Sequence, residues 1–149
     1  MSEGLVIRTI PVTRFNQFII YLSSEFDLSE IDIMIQDNAV SLVEKKNAAS
    51  MIVIKSGKMN LFKGITKFSI FKYKYVIIPV NSNNLIDNSN LFLFLVPLVS
   101  KKYYLYFPDF SYREMSYFSL LKLAVLFFII DFFSYALALI YYPIQKLRK

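Results

Sequence analysis

Residues 123–142 read LAVLFFIIDFFSYALALIYY, and this run decides how the chain is organised. Its twenty residues carry one charge, Asp131, and stop at Pro143 ahead of the basic tail Gln145, Lys146, Leu147, Arg148 and Lys149. At 1.5 Å per residue a helix of this length covers ~30 Å, the thickness of a bilayer's hydrocarbon core. Twelve of the twenty are Leu, Ile, Phe or Val. Each of those contributes roughly −0.3 to −0.6 kcal/mol to insertion near the bilayer centre, against about +2.5 to +3.5 kcal/mol for one Asp. Insertion therefore wins by a few kcal/mol. A helix apolar on every side belongs in a membrane or a large core, and 149 residues leave no room for a large core.

The flanks agree. Tyr112 and Tyr117 before the run, and Tyr141 and Tyr142 at its end, stand where amphipathic rings favour the headgroup layer, and Lys122 is placed to snorkel to the near interface. The segments read as a soluble domain over 1–112, a juxtamembrane aromatic and basic segment over 113–122, a transmembrane helix over 123–142 and a basic tail over 143–149. No basic stretch followed by an apolar core opens the sequence, so the expectation is a single-pass, tail-anchored protein with its N-terminal domain in the cytoplasm. Lys101, Lys102 and Arg113 on one flank nearly balance Lys146, Arg148 and Lys149 on the other, so charge does not fix the orientation. A two-span hairpin made of 91–107 and 118–142 is the competing topology.

Within the span, Asp131 sits almost at the midpoint, where an ionisable group is a functional-site hypothesis by default. Ala124, Asp131, Ser134 and Ala138 share one helical stripe, and Ser134 with Ala138 makes a small-xxx-small pair. Lys122 lies half a turn out of phase with Asp131. The stripe is expected to pack against a helix of another subunit that offers the carboxyl a hydrogen-bonding or charged partner. A protonated Asp131 facing lipid without further role is the bland alternative.

The first 112 residues read as α+β: one amphipathic helix and a mainly antiparallel sheet of five to seven strands. Pro11 opens the helix, and Phe15, Phe18, Ile19, Leu22 and Phe26 recur at offsets of three and four. Ile31, Ile33 and Ile35 alternate with Asp32, Met34 and Gln36. After an Asp37-Asn38 turn, Val40–Val43 completes an expected hairpin. Further strands are expected over Met51–Lys55, Met59–Phe62, Phe68–Val80, Leu91–Val99 and Tyr103–Phe107, with a loop over Asn81–Asn90.

Charge is unevenly spread. Residues 1–37 hold two basic and six acidic side chains, whereas 44–74 hold eight Lys against Glu44 alone. The patch including Lys67, Lys72 and Lys74 reads first as a solvated face, then as a surface for anionic lipid or an acidic protein, and less readily for nucleic acid, because Phe71, Tyr73 and Tyr75 are expected on the opposite face of the strand.

Zero Cys and zero His exclude disulfides, Cys/His zinc sites, thiol nucleophiles and imidazole acid–base chemistry. Three widely spaced glycines cannot form a phosphate cradle. Ser119 and Lys122 match S-x-x-K, as do Ser69 and Lys72, and so loose a pattern carries little weight. Glu25, Asp27, Glu30 and Asp32 lack the spacing of a calcium loop and read as helix-to-strand capping. The expectation is a noncatalytic accessory subunit or adaptor of a membrane complex, without cofactor or metal. A tail-anchored module that recruits nucleic acid or an acidic protein is the alternative, and a hydrolase is a distant third.

Overall fold

Leu5, Val6 and Ile7 are three consecutive apolar residues, a pattern suited to a strand covered on both faces. In the computed structural model, which describes residues 2–43, 48–54, 73–84, 95–96 and 100–147, they belong to the central strand β1 (Gly4–Ile7). The elements that follow are α1 (Val12–Glu25), β2 (Ile31–Gln36), β3 (Ser50–Ile54), β4 (Tyr75–Pro79), β5 (Lys102–Tyr106), β6 (Tyr112–Ser116) and α2 (Tyr117–Leu147). Six strands form one sheet in the order β3-β2-β1-β4-β5-β6. Every pairing is parallel except that of β5 with β6.

The α+β expectation holds at this coarse level, and among the described residues there are six strands, but the sheet is mixed rather than mainly antiparallel. The expected hairpin at 31–43 is replaced by a 3₁₀ turn at Asp37–Ala39, after which the chain travels on to β3 and pairs with β2 in parallel. The reason lies in burial: Ile31–Ile35 and Val76–Ile78 are covered on both faces, as strands inside a two-sided sheet must be. Leu95, expected within a strand, is helical and fully buried. The remainder of Leu91–Val99 apart from Val96, the strand at Met59–Phe62 and the first part of Phe68–Val80 lie outside the described residues.

Alternation along the strands sorts the core into two layers. Val6, Ile31, Ile33, Ile35 and Ile77 face α1, whose Phe15, Phe18, Ile19 and Leu22 are all buried against them. The predicted amphipathic helix is thus present, with Pro11 at its N-cap and Phe26 at its C-cap. Leu5, Ile7, Met34, Val76, Ile78, Tyr103 and Leu105 face the other way and meet Leu120, Ala124 and Phe127 of α2. Tyr73 and Tyr75 belong to different layers, because a bend at Lys74 interrupts the alternation expected across Lys72–Tyr75.

On the α1 side the rings form a continuous sheet of their own. Phe110 stacks on Tyr21 at 4.8 Å, Phe18 meets Tyr106 edge-on at 5.2 Å, and Tyr112 contacts both Tyr104 and Tyr106. Phe110 adopts φ 63°, a left-handed conformation costly for a bulky residue, and its stacking helps to hold the β5–β6 turn in that shape. Gly4 has a different reason to lack a side chain: a Cβ there would overlap the Tyr75 ring.

One polar cluster is sealed in the core. Asp32 is 1% exposed, and its carboxylate accepts hydrogen bonds from Ser2 Oγ at 2.6 Å, Ser50 Oγ at 2.7 Å and Tyr73 Oη at 2.7 Å. These donors come from the segment before β1, from β3 and from the approach to β4, so one carboxylate ties three chain segments to β2. Hydrogen bonds to a charged group are worth roughly 1.5–3 kcal/mol each, and leaving such a group short of donors costs at least as much. Tyr73→Phe is therefore expected to lower unfolding stability by about 2 kcal/mol, and Asp32→Leu by more, read by denaturant titration in mild detergent. An unchanged midpoint for both variants would show the cluster to be idle.

Burial pushes the phenols of Tyr103 and Tyr106 up to about 12, and burial together with the Asp32 hydrogen bond raises Tyr73 as well. A raised folded-state value means that the unfolded chain releases these protons first. Their contribution is intact below an unfolded value of about 10 and is lost as the pH climbs through about 12. In an absorbance titration these three phenolates are expected to appear last and together with loss of near-ultraviolet dichroism. Their ionisation near pH 10 with the fold intact would contradict their burial.

Candidate membrane anchor and partner-docking stripe

No loop separates β6 from α2: Ser116 ends the strand and Tyr117 begins the helix. Ser116 makes the change of direction, since its Oγ accepts from the Ser119 N–H at 3.3 Å and lies 3.1 Å from Ser119 Oγ. This is the reach of an N-cap residue to the third helical position. The Ser119 hydroxyl of the S-x-x-K match is thus part of a helix cap, and Ser69 and Lys72 of the second match lie outside the described residues. Tyr117 adds an anchor by donating its hydroxyl to the Val96 carbonyl at 3.3 Å.

α2 runs for 31 residues, about 46 Å, and its stretch Tyr117–Leu139 is long and apolar enough to cross a bilayer, the one such helix among the described residues. Its first part is packed on the domain. Leu120, Ala124 and Phe127 are 0, 1 and 5% exposed, and recur at offsets of four and three, one stripe laid on the sheet. Burying a Leu and a Phe contributes about 1.5–3 kcal/mol each. Beyond Phe127 the helix leaves the sheet, and Phe128, Ile129, Ile130, Phe132, Phe133, Leu137 and Leu139 are all 45–61% exposed.

The docking stripe continues at the same spacing into Asp131, Ser134 and Ala138. Its character changes from apolar to polar and small where the sheet ends. Asp131 and Ser134 are exposed, and among the described residues Asp131 has neither a hydrogen-bond nor an ion-pair partner. Ala124, the first member of the stripe read from the sequence, lies in the domain's own core, so the portion open to another helix begins at Asp131.

The anchor residues are divided. Tyr112 stands on the edge strand β6, 58% exposed and in contact with Tyr104 and Tyr106, while Tyr117 is half-buried at the start of α2. Lys122 is exposed, Tyr141 is 65% exposed, and Tyr142 lies in the last turns of the helix.

Packing on the sheet alters the energetics of insertion. With all twelve Leu, Ile, Phe and Val of 123–142 in hydrocarbon the favourable sum is roughly 4–7 kcal/mol, comfortably above the roughly 3 kcal/mol cost of Asp131. Phe128–Tyr142 alone holds eight of them, roughly 2–5 kcal/mol, which Asp131 nearly cancels. The margin for insertion therefore resides in Leu123, Val125, Leu126 and Phe127, the same turns that touch the sheet.

The basic patch is described only at Lys74. Its ammonium pairs with Glu3 in an exposed ion pair, so this charge is partly matched within the chain. Lys67 and Lys72 lie outside the described residues. Of the acidic cluster, Asp27 caps the 3₁₀ turn Leu28–Glu30 by accepting from the Ser29 N–H at 2.9 Å, and hydrogen bonds from the Ser29 side chain first and its N–H second hold the Asp27 carboxyl below the usual range. Asp32 is held by the three hydroxyls already described.

Sequence reading passed over one further polar feature, at the carboxyl edge of the parallel strands. Arg8, just after β1, donates through Nη2 to Gln36 Oε1 at 2.8 Å and through Nη1 to the Ile10 carbonyl at 3.1 Å. Its Nε is buried and has no hydrogen-bond partner among the described residues, and burial lowers the guanidinium's pKa. Thr9 donates its hydroxyl to the Pro79 carbonyl, tying β1 to β4 at this edge. An arginine and a threonine between an apolar run and a helix-opening proline were the available signal, but the pairing with Gln36 depends on the parallel register of β1 and β2.

No protein-family model, curated protein or solved structure matches the chain.

Proposed function

We propose that this protein is a noncatalytic accessory subunit or adaptor of a membrane complex. A single pass of α2 fixes the α+β domain to the cytoplasmic surface, and the stripe of Asp131, Ser134 and Ala138 docks a helix of another subunit. The observation that carries the reading is the change along one helical stripe. Leu120, Ala124 and Phe127 are used up by the sheet, while Asp131 continues the same stripe without a partner in the described chain. A carboxyl near the middle of a bilayer is disfavoured by about 2.5–3.5 kcal/mol, and a donor on a neighbouring helix offsets that cost. Small residues at Ser134 and Ala138 allow the close approach that such a bond requires.

The alternative, a basic surface that recruits nucleic acid or an acidic protein, draws no support from Lys74, whose ammonium is occupied by Glu3. It predicts an interaction that weakens steeply with salt and is lost on neutralising Lys67, Lys72 and Lys74 together.

Asp131→Leu leaves the sheet-facing stripe intact and improves the apolarity of the span. The variant is expected to remain in the membrane fraction yet lose its partner when the complex is extracted in gentle detergent and identified by mass spectrometry. The Asp131→Asn variant, which keeps a hydrogen-bonding side chain, is expected to retain part of the complex. Undiminished co-purification of Asp131→Leu would remove the proposal.

A further inference from the structure

Two demands fall on the same turns of α2. The apolar stretch beyond the sheet, Phe128–Tyr142, is fifteen residues, about 22 Å, and falls short of a ~30 Å hydrocarbon core by about five residues; α2 goes on to Leu147, but its last turn carries Gln145 and Lys146, residue types of the headgroup layer rather than the hydrocarbon. The five that would complete it, Leu123–Phe127, include Ala124 and Phe127, which the sheet already buries. Peeling these turns from the sheet to lend them to lipid would open the core layer formed with Tyr103, Leu105 and Met115 to water.

The outward side of the same turns resolves the conflict. A helix lying on a water-soluble domain carries polar residues on the side away from the sheet. Here that side holds Phe118 at 79%, Val125 at 50% and Leu126 at 51% exposure; Ser119 and Lys122 are its polar members, and from Val125 onward it runs without a break into the bare apolar surface that begins at Phe128. Lys122 is the charge on this side, one turn ahead of Val125 and Leu126. Helical side chains tilt toward the N-terminus, so the Lys122 ammonium reaches back toward Phe118, the direction of the headgroups when α2 enters the bilayer C-terminal end first.

We infer that the domain is seated in the membrane surface. α2 stays on the sheet through Leu120, Ala124 and Phe127, while Val125 and Leu126 on its outer side press into the acyl layer of one leaflet. The occupant of this exposed helix face is lipid, because a bilayer that takes Phe128–Tyr142 and closes the length deficit takes the outer side of Leu123–Phe127 with it. The implied depth, five residues or about 7 Å, lies within the 5–10 Å to which interfacial helices sink. This inference rests on the membrane anchoring proposed above and adds that the domain itself touches lipid.

The absence of cysteine permits a clean test on the full chain, reconstituted in mixed phosphatidylcholine and phosphatidylglycerol vesicles. Nitroxides are attached to Val125→Cys and Leu126→Cys, to Phe133→Cys in mid-span and to Tyr112→Cys on the edge strand. Collision with oxygen and with a water-soluble nickel complex is then compared. The expected result is that positions 125 and 126 favour oxygen over nickel as position 133 does, while position 112 shows the reverse.

Nickel access at 125 and 126 equal to that at 112 would mean a domain standing clear of the membrane. Loss of access to both relaxants there would mean that another protein, or a second copy, covers the face. Each of these overturns the inference while position 133 still reports lipid and the vesicles still float the protein. Failure to float, with nickel access at 133, would instead remove the anchoring on which it stands.

Discussion

The docking of Leu120, Ala124 and Phe127 onto the sheet is the contact on which the rest of the molecule depends. It covers the side of the sheet that α1 leaves open, and without it Tyr103, Leu105 and Met115 would face water. The same contact fixes the direction in which the exposed half of α2 leaves the domain. Because Ser116 passes directly into Tyr117, no linker loosens that relation. The apolar helix is not a string tied to a globule but a structural layer of it, so a force acting on the helix acts on the sheet.

That coupling would also account for how little charge α2 carries even where it lies on the domain. A helix with one face on a sheet and the other in water would alternate apolar and charged positions at the helical period. α2 between Phe118 and Phe128 shows Lys122 as its one charge. The sheet consumes one stripe, and the remaining apolar surface has no counterpart within the described residues. The insertion energetics point the same way, since the helical turns that touch the sheet supply most of the margin over the cost of Asp131.

Much of this could be read from residue order, and the failures have a common cause. α1 was legible because Pro11 and the Phe15–Phe18–Ile19–Leu22 spacing are local signals, and so was the apolar C-terminal helix. Sheet direction was not, because parallel pairing is decided by residues far apart: Val6 lies beside both Ile33 and Ile77. β1 was overlooked as a four-residue run with no alternation, although such a run suits a strand covered on both faces. β6 was overlooked because Tyr112–Ser116 mixes exposed polar residues with one buried Met115, a pattern suited to an edge strand but equally to a juxtamembrane segment. At the candidate stripe, Asp131, Ser134 and Ala138 were legible from their spacing. The commitment of Ala124 to the domain core was not, since a sequence does not say where along a continuous apolar helix the sheet stops and the exposed half begins.

Two aspartates show what that boundary does. Asp32 and Asp131 are both carboxyls that the chain places among apolar neighbours. Asp32 is sealed in the sheet and receives three hydroxyl donors from Ser2, Ser50 and Tyr73, so its desolvation is offset entirely within the fold. Asp131, four residues past the last turn that touches the sheet, receives none from the described residues. In water that would be unremarkable, since solvent satisfies an exposed carboxylate at no cost. In hydrocarbon the choice narrows to protonation or a donor from elsewhere, and a proton alone leaves a polar carboxyl facing lipid. Because Asp131 lies on the stripe that has just served as a protein-facing surface, and Ser134 and Ala138 keep that stripe narrow, the docking helix proposed above would both offer the carboxyl a donor and fill the space beside it.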